Sequence, residues 1–288
     1  MASVLIALGG NAILKPFEER TAENQYRNVM DASKLLAEMV SKGNRIAVTH
    51  GNGPQVGDAL LRNEYAKDVL PPMPLDICGA ETQGMLGYMI QQTLTNELMA
   101  RGLCCRVATI LTQALVDKKD MAFEKPTKPI GPYYTEEEAM LLGKEKGWQF
   151  ARLKDGFRRM VPSPKPVRVL EDKTIRSLFD SGVIVIAGGG GGVPVVEEDG
   201  KVIGVEAVID KDLTAAILAS ELCVEVMLFL TDVENVYLNF GKPDAVPLRS
   251  LSVDQAEQYS AGGHFDSGSM GPKIEAALRF MRAGGRER

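Results

Sequence analysis

With 288 residues, 45% of them hydrophobic, the chain is long enough to bury a sizeable core as one large domain or two coupled lobes. Its 33 basic and 38 acidic residues give a formal net charge of −5 and include no basic block that would follow a nucleic-acid backbone, which argues against nucleic acid as a partner. No apolar run is long enough to span a bilayer, no signal-peptide pattern is present, and Cys78, Cys104, Cys105 and Cys223 show neither C-x-x-C nor metal-type spacing, so a soluble, reduced, cytoplasmic protein with no membrane partner is expected.

Short β-branched runs alternate with helix-period segments, the pattern of an α/β protein with a largely parallel central sheet. Val4 to Leu8 reads as a strand that enters the turn Gly9-Gly10-Asn11. Val29, Leu35, Leu36, Met39 and Val40 then recur at helical spacing, predicting a helix over 24–42 that Gly43 closes. A strand over 45–49 leads into Gly51-Asn52-Gly53-Pro54 and a helix over 55–65. A helix over 81–101 and a strand over 106–112 follow. From 117 to 166 prolines, glycines and charges break the rhythm, and this stretch reads as an inserted lobe or lid; within it a short helix over 135–146 starts at a capping box of Thr135 and Glu138. A helix over 173–180 and an apolar strand over 183–187 lead to the run Gly188 to Gly192. After a hairpin around Asp199-Gly200 come a helix over 213–222, a strand over 226–230, the loop Thr231-Asp232-Val233 and a final helix over 272–281.

An acidic protein repels anions at long range, so a phosphate site here has to be built locally from lysines and backbone N–H groups. Three glycine turns follow strand ends, where an open parallel sheet collects its ligands, and together they could form one polar cradle. A single glycine turn often only closes a connection; three in equivalent places point further. Neither a G-x-x-x-x-G-K-[ST] loop, a protein-kinase catalytic loop nor a dinucleotide fingerprint is present. Phosphoryl transfer relies on charge neutralisation, and three lysines stand beside rigid or turn-forming residues: Lys128, Lys211 and Lys273. Lys211 lies between Asp210 and Asp212, which either form a local salt bridge or orient lysines and hold Mg2+ beside a polyphosphate. Lys273 falls in a helix's first turn, where a cation opposes the macrodipole unless an anion binds there. With only His50 and His264, a histidine triad or multi-histidine metal site is disfavoured. His50 either packs at its strand end or stands beside a substrate, Cys78 reads as core, and Met85, Met89 and Met99 read as packing.

The segments IALGGNA at 6–12, THGNGPQVG at 49–57, PTKPIGP at 126–132 and GFRRMVPSP at 156–164 resemble those of the carbamate kinases, within the amino acid kinases. PLDICGAETQGMLGYMIQQ at 74–92, GVEAVIDKDLTA at 204–215, LTDVENVY at 230–237 and GHFDSGSMGPK at 263–273 agree, so the resemblance extends over nearly the whole chain. It implies a three-layer α-β-α sandwich with an acceptor-binding lobe over 1–204, including the lid at 117–166, and a nucleotide-binding lobe over 205–288. The implied reaction is reversible: ADP plus carbamoyl phosphate gives ATP plus carbamate, with Mg2+ held by nucleotide phosphates rather than by protein ligands alone. Gly9, Gly10, Asn11, Gly51, Asn52 and Gly53 would cradle carbamate and the phosphoryl group, and Lys128 would reach in from the lid. Lys211 and Lys273 would neutralise the phosphates, Asp212 would orient them with Asp210 beside it, and Thr231, Asp232, Tyr237, Met270 and Pro272 would line the adenine and ribose pocket. A homodimer is implied as well. Two departures from the family pattern set further expectations. The spacing from Ala151 to Gly156 is altered, so lid geometry is expected to differ although Arg158 and Arg159 are retained; and relatives usually continue beyond the position of Arg288, so a shortened nucleotide lobe is expected. Another amino acid kinase acting on a carboxylate such as acetylglutamate, or a nucleotide-binding relative with impaired catalysis, are the alternative readings.

Overall fold

The computed structural model describes residues 2–15, 18–231, 233–265 and 270–284. In chain order its elements begin with β1 (Ser3–Leu8), α1 (Ala22–Ser41), β2 (Arg45–His50), α2 (Gly53–Ala66), α3 (Leu75–Ala100), β3 (Val107–Thr109) and β4 (Gln113–Val116). Next come β5 (Lys128–Tyr134), α4 (Glu136–Lys146), β6 (Gln149–Leu153), β7 (Gly156–Val161), β8 (Pro166–Val169), α5 (Asp172–Asp180) and β9 (Ile184–Ile186). The remainder is β10 (Val193–Glu198), β11 (Lys201–Gly204), α6 (Lys211–Glu221), β12 (Val226–Leu230), β13 (Val236–Leu238), β14 (Val246–Leu248), α7 (Val253–Ala261) and α8 (Met270–Arg282).

Five strands in the order β12-β1-β2-β9-β3 pair in parallel to form the central sheet. Its strands are apolar on both faces because helices cover both. Val4, Ile6 and Leu8 of β1 pack with Val29 and Leu36 of α1 and Leu86, Ile90 and Leu94 of α3. Leu5 and Ala7, pointing the other way, pack with Ile175 and Phe179 of α5, Ala215 and Leu218 of α6 and Phe280 of α8. This is a three-layer α-β-α sandwich. Residues on either side of position 204 share the sheet, since β12 extends it from β1 in register Val4 to Val226 through Leu8 to Leu230.

A second sheet, β11-β10-β4-β8, includes the antiparallel hairpin around Asp199 and Gly200, and β13 pairs with β14 in a third unit. Within 117–166, β5, β7 and β6 form a separate antiparallel sheet carrying α4. Thr135 and Glu138 close the capping box that starts α4, and Gly147 ends it at φ 67°. Ile130 and Val161 of this small sheet bury against Val56 and Ala59 of α2 and Leu75 and Cys78 of α3, which fixes where the subdomain sits on the body.

Three boundaries differ from the sequence reading. The helix expected over 81–101 begins at Leu75, directly after Pro74, whose extended φ of −66° and ψ of 162° set the entry. The strand expected over 106–112 is only the short β3, which ends at Thr109; residues 110–112 then cross to a separate strand, β4, which pairs with β10 in the other sheet. Helix α7, opened by a capping box of Ser252 and Gln255, lies where no helix was expected.

Candidate active site

The carboxyl ends of β1, β2 and β9 open into the three glycine turns, and a cleft of about 450 Å³ lies beyond them. Gly10, Gly51, Asn52, Gly53 and Gly190 line it, together with Lys128, Asp210, Lys211, Asp212 and Lys273. Residues distant in sequence are thus brought to one place.

Each turn is shaped by a different local requirement. Four of the five residues in the glycine run hold positive φ: Gly188 at 67°, Gly190 at 64°, Gly191 at 93° and Gly192 at 90°. Such angles are costly for residues with a Cβ, and a Cβ on Gly190 would also lie 2.2 Å from the Asn52 amide nitrogen. The run is anchored by Thr49 Oγ1 donating to the Gly188 carbonyl at 2.9 Å and Thr214 Oγ1 donating to the Gly191 carbonyl at 2.7 Å. Gly188 N–H in turn donates to Thr112 Oγ1 at 2.9 Å.

Asn52 is the N-cap residue of α2, yet its side chain makes no cap bond; its amide instead donates to Thr82 Oγ1 at 2.8 Å. The start of α2, with Gly53 and Pro54 lining the cleft, therefore has no side-chain acceptor from its cap, and a helix start of this kind attracts anions. Gly51 places its α-carbon where a Cβ would stand 3.3 Å from Lys211 Cδ and 3.4 Å from Gly10 N, so the Lys211 stem runs between the first two turns.

The charged groups form one chain of contacts. Asp212, at 3% exposed, accepts from Lys211 Nζ at 2.5 Å through one oxygen and from Lys273 Nζ at 3.1 Å through the other. Asp210 caps α6 by accepting the Asp212 N–H at 3.0 Å and uses its second oxygen for Lys128 Nζ at 3.2 Å. Lys128 arrives from the first residue of β5, Lys211 from the first turn of α6 and Lys273 from the first turn of α8. The Arg158 guanidinium joins them in the lining and donates to the Gly131 carbonyl at 3.0 Å. With Arg20, five cations line the cleft beside two carboxylates in a chain whose net charge is −5, and such a local excess is suited to holding a polyanion.

His50 is fully enclosed: its Nδ1 donates to the Gly51 carbonyl at 3.1 Å, and a Cβ on Gly189 would be 2.5 Å from Nε2. Burial pushes its pKa down to about 4, so the ring is neutral at physiological pH and is a packing element of the second turn.

Other expected residues stand elsewhere. Gly9 does not line the cleft; its N–H donates to the Leu230 carbonyl at 3.1 Å, and a Cβ there would be 2.9 Å from that oxygen, so glycine is required for the approach of β1 to β12. Asn11 belongs to the single 3-10 turn Gly10–Ala12. Thr231 directly follows β12, Tyr237 lies in β13 with its ring 5.5 Å from Phe240, and Met270 and Pro272 open α8; none of these four lines the cleft. Asp232 lies outside the described residues. Arg20, which lines the cleft and pairs with Asp58 at 2.5 Å, had no local signal in the sequence. Among the described residues no group of three or more His, Cys, Asp or Glu could hold a metal ion, and no helix is long and apolar enough to cross a membrane.

A parallel α/β sheet whose glycine turns and converging lysines enclose an anion-sized cleft defines a phosphotransferase. The profile described as the amino acid kinase family matches residues 3–287. Over 286 residues the chain is 49% identical to the carbamate kinase of Pyrococcus horikoshii, spanning 98% of this chain and 91% of that protein. It is 50% identical to the carbamate kinase of Thermococcus kodakarensis, spanning 99% of this chain and 92% of that one. The solved carbamate kinase from Giardia lamblia bound to AMP-PNP superposes with a TM-score of 0.93 at 41% identity, covering 99% of this chain and 91% of that chain. The chain belongs to the amino acid kinase family and, within it, to the carbamate kinases.

Proposed function

We propose that this chain catalyses reversible phosphoryl transfer between ATP and carbamate: ADP plus carbamoyl phosphate gives ATP plus carbamate. The observation that carries the reading is the convergence of Lys128, Lys211 and Lys273, from three separate elements, on the cleft formed by the glycine turns.

Asp212 holds the Lys211 and Lys273 ammonium groups in place before any ligand arrives, so their charge is already organised for a phosphoryl group in flight. The backbone at Gly10 and Gly53, with the start of α2 that no side chain caps, offers N–H donors to the acceptor side; Gly51 gives its own N–H to the Leu8 carbonyl at 3.1 Å and shapes the turn. Lys128 is the most exposed of the three ammonium groups, its side chain 36% accessible, and can exchange Asp210 for a phosphate oxygen as the lid subdomain covers the site. Carbamate brings its own oxygen nucleophile, so alignment and exclusion of water suffice and no strong general base is required. A buried, neutral His50 accords with that.

The excess of cationic donors fits a nucleotide polyphosphate held by Lys211 and Lys273, with the adenine and ribose placed beyond the described cleft, toward Thr231, Tyr237, Met270 and Pro272. Mg2+ carried by the phosphates would supply further charge neutralisation. The same reading makes the protein a cytoplasmic homodimer, and exposed Leu35 on α1 with Tyr88 and Met99 on α3 give apolar surface for such contact; sedimentation in solution tests the dimer.

A substrate panel tests the activity. ADP with carbamoyl phosphate is expected to yield ATP, whereas ATP with acetylglutamate is expected to yield no ADP above background. Turnover of acetylglutamate, or none of carbamoyl phosphate, overturns the proposal.

A further inference from the structure

Between the small sheet, α2 and the start of α3 lies a second cavity of about 340 Å³ that shares only Ile130 and Gly131 with the phosphoryl-transfer cleft. Its walls hold the one tryptophan of the chain, Trp148, with Lys146, Arg159, Glu64 and Glu206. Both cations are already matched. Arg159 Nη2 donates to Glu206 Oε2 in a short contact, Lys146 Nζ lies 3.0 Å from Glu64 Oε2, and the two cations lie 4.0 and 4.5 Å from the Trp148 ring. The cavity therefore calls for no ligand charge; its contents are a junction between the subdomain and the body.

We propose that Arg159 and Glu206 are a positioning pair that fixes the paired strands β5 and β7 over residues 206–210 and so sets where the Lys128 ammonium stands in the cleft. The inference rests on the proposed reaction, because it assigns the pair its purpose through Lys128. Three residues of one short segment hold this strand pair and its end: Glu206 through Arg159, Val208 through its N–H to the Pro162 carbonyl at 3.0 Å, and Asp210 through Lys128 at 3.2 Å. The other Glu206 oxygen accepts the N–H of Leu75, the first residue of α3, at 3.0 Å, so both oxygens of this carboxylate are engaged and the segment is tied to the body.

Register makes the coupling direct. In the β5–β7 ladder Lys128 stands opposite Val161 and Ile130 opposite Arg159, so Arg159 is one same-face step from the residue paired with Lys128. The two ion pairs differ in what they can do. The Lys128 side chain is 36% exposed and faces the cleft, so its contact with Asp210 can be exchanged for a phosphate. The Arg159 side chain is 9% exposed and lies outside the cleft; its partner Glu206 is half-exposed, but loss of that carboxylate would leave the buried guanidinium against only the Trp148 ring. One pair moves with turnover and the other persists through it.

A double-mutant cycle reads this connection. Arg159→Met is expected to lower kcat/KM for carbamoyl phosphate by about thirtyfold while moving the KM for ADP by no more than about twofold, since misplacing one group by an ångström can cost about a hundredfold. In a Lys128→Ala background the same substitution is expected to cost no more than about twofold, because the group it positions is gone. Equal losses in both backgrounds overturn the proposal, as that is the behaviour of a purely structural residue. Glu206→Gln, which keeps an oxygen for the Leu75 N–H and removes the charge, provides the same cycle should Arg159→Met fail to fold. Trp148 emission reads the junction without turnover: a red shift in Glu206→Gln relative to the unsubstituted protein is expected, and superimposable spectra contradict the pair. Absence of carbamoyl phosphate turnover in the unsubstituted protein counts against the reaction, and the emission result then decides the pair separately.

Discussion

Replacing Asp212 by Asn keeps the side chain's shape and removes the single negative charge that Lys211 and Lys273 share. The two ammonium groups stand 2.5 and 3.1 Å from its oxygens, where each contact has a gross Coulomb energy of roughly 5–7 kcal/mol at an effective dielectric near 20. The lysine side chains are 13% and 14% exposed, so water reaches them and recovers part of that loss. A net destabilisation of about 2–4 kcal/mol follows, at or just below what truncating one partner of a buried pair costs. For a chain of this size it corresponds to a fall in Tm of roughly 3–7 °C. The variant has a second signature. A bound phosphate supplies the missing negative charge, so saturating ADP should raise Tm more in Asp212→Asn than in the unsubstituted protein. Turnover should nevertheless fall by about a hundredfold, because lysines without their shared acceptor are no longer organised in advance. Thermal melts with and without ADP, beside a steady-state assay of ATP formation, measure all three quantities. An unchanged Tm and kcat, or a destabilisation that ADP offsets no better than in the unsubstituted protein, refutes the reasoning.

Gly9→Ala is expected to lower Tm while leaving the KM for carbamoyl phosphate within about threefold, since its Cβ would press on the Leu230 carbonyl 2.9 Å away and overpacking of this kind costs about 1–3 kcal/mol. Melting curves and a substrate titration check it, and a large rise in KM at unchanged Tm would put Gly9 in the substrate site instead. His50, whose pKa is pushed from 6.5 down to about 4 by burial, makes stability dependent on pH. Above 6.5 the ring is neutral folded or unfolded and its contribution is complete; as pH falls toward 4 the unfolded chain binds the proton first, and roughly 3 kcal/mol is lost. Chemical denaturation across that window should therefore show a slope that His50→Gln flattens, and equal slopes would contradict a neutral buried ring.

The framework of this molecule was legible where its causes are local. The continuous apolar run Val4 to Leu8, the glycine turns after strands and the capping box of Thr135 and Glu138 are each decided within a few residues, and the matching elements are present. What escaped was decided at a distance. Helix α3 carries Gly79 just after its first turn and follows a proline-rich stretch, and its Leu75 N–H finds an acceptor in Glu206, 131 residues on. Residues 106–112 look like one apolar strand, but pairing with β9 ends at Thr109, and the chain then crosses to join β10 from Gln113. In the cleft, Lys128 meets Asp210 across 82 positions and Lys273 meets Asp212 across 61, so no periodicity could have brought them together; only the likeness of whole motifs suggested it. Arg20 sits in a polar stretch without pattern, and its place beside Asp58 is purely tertiary.

Single-turnover transfer from carbamoyl phosphate to ADP, compared between the unsubstituted protein and Lys211→Ala, tests most directly that ammonium groups prearranged at the sheet edge stabilise the moving phosphoryl group. The transfer step is expected to slow by about two orders of magnitude with ADP still bound, as for loss of one transition-state donor. A variant that transfers at nearly the original rate would show that the charge cluster around Asp212 is not where the chemistry is done.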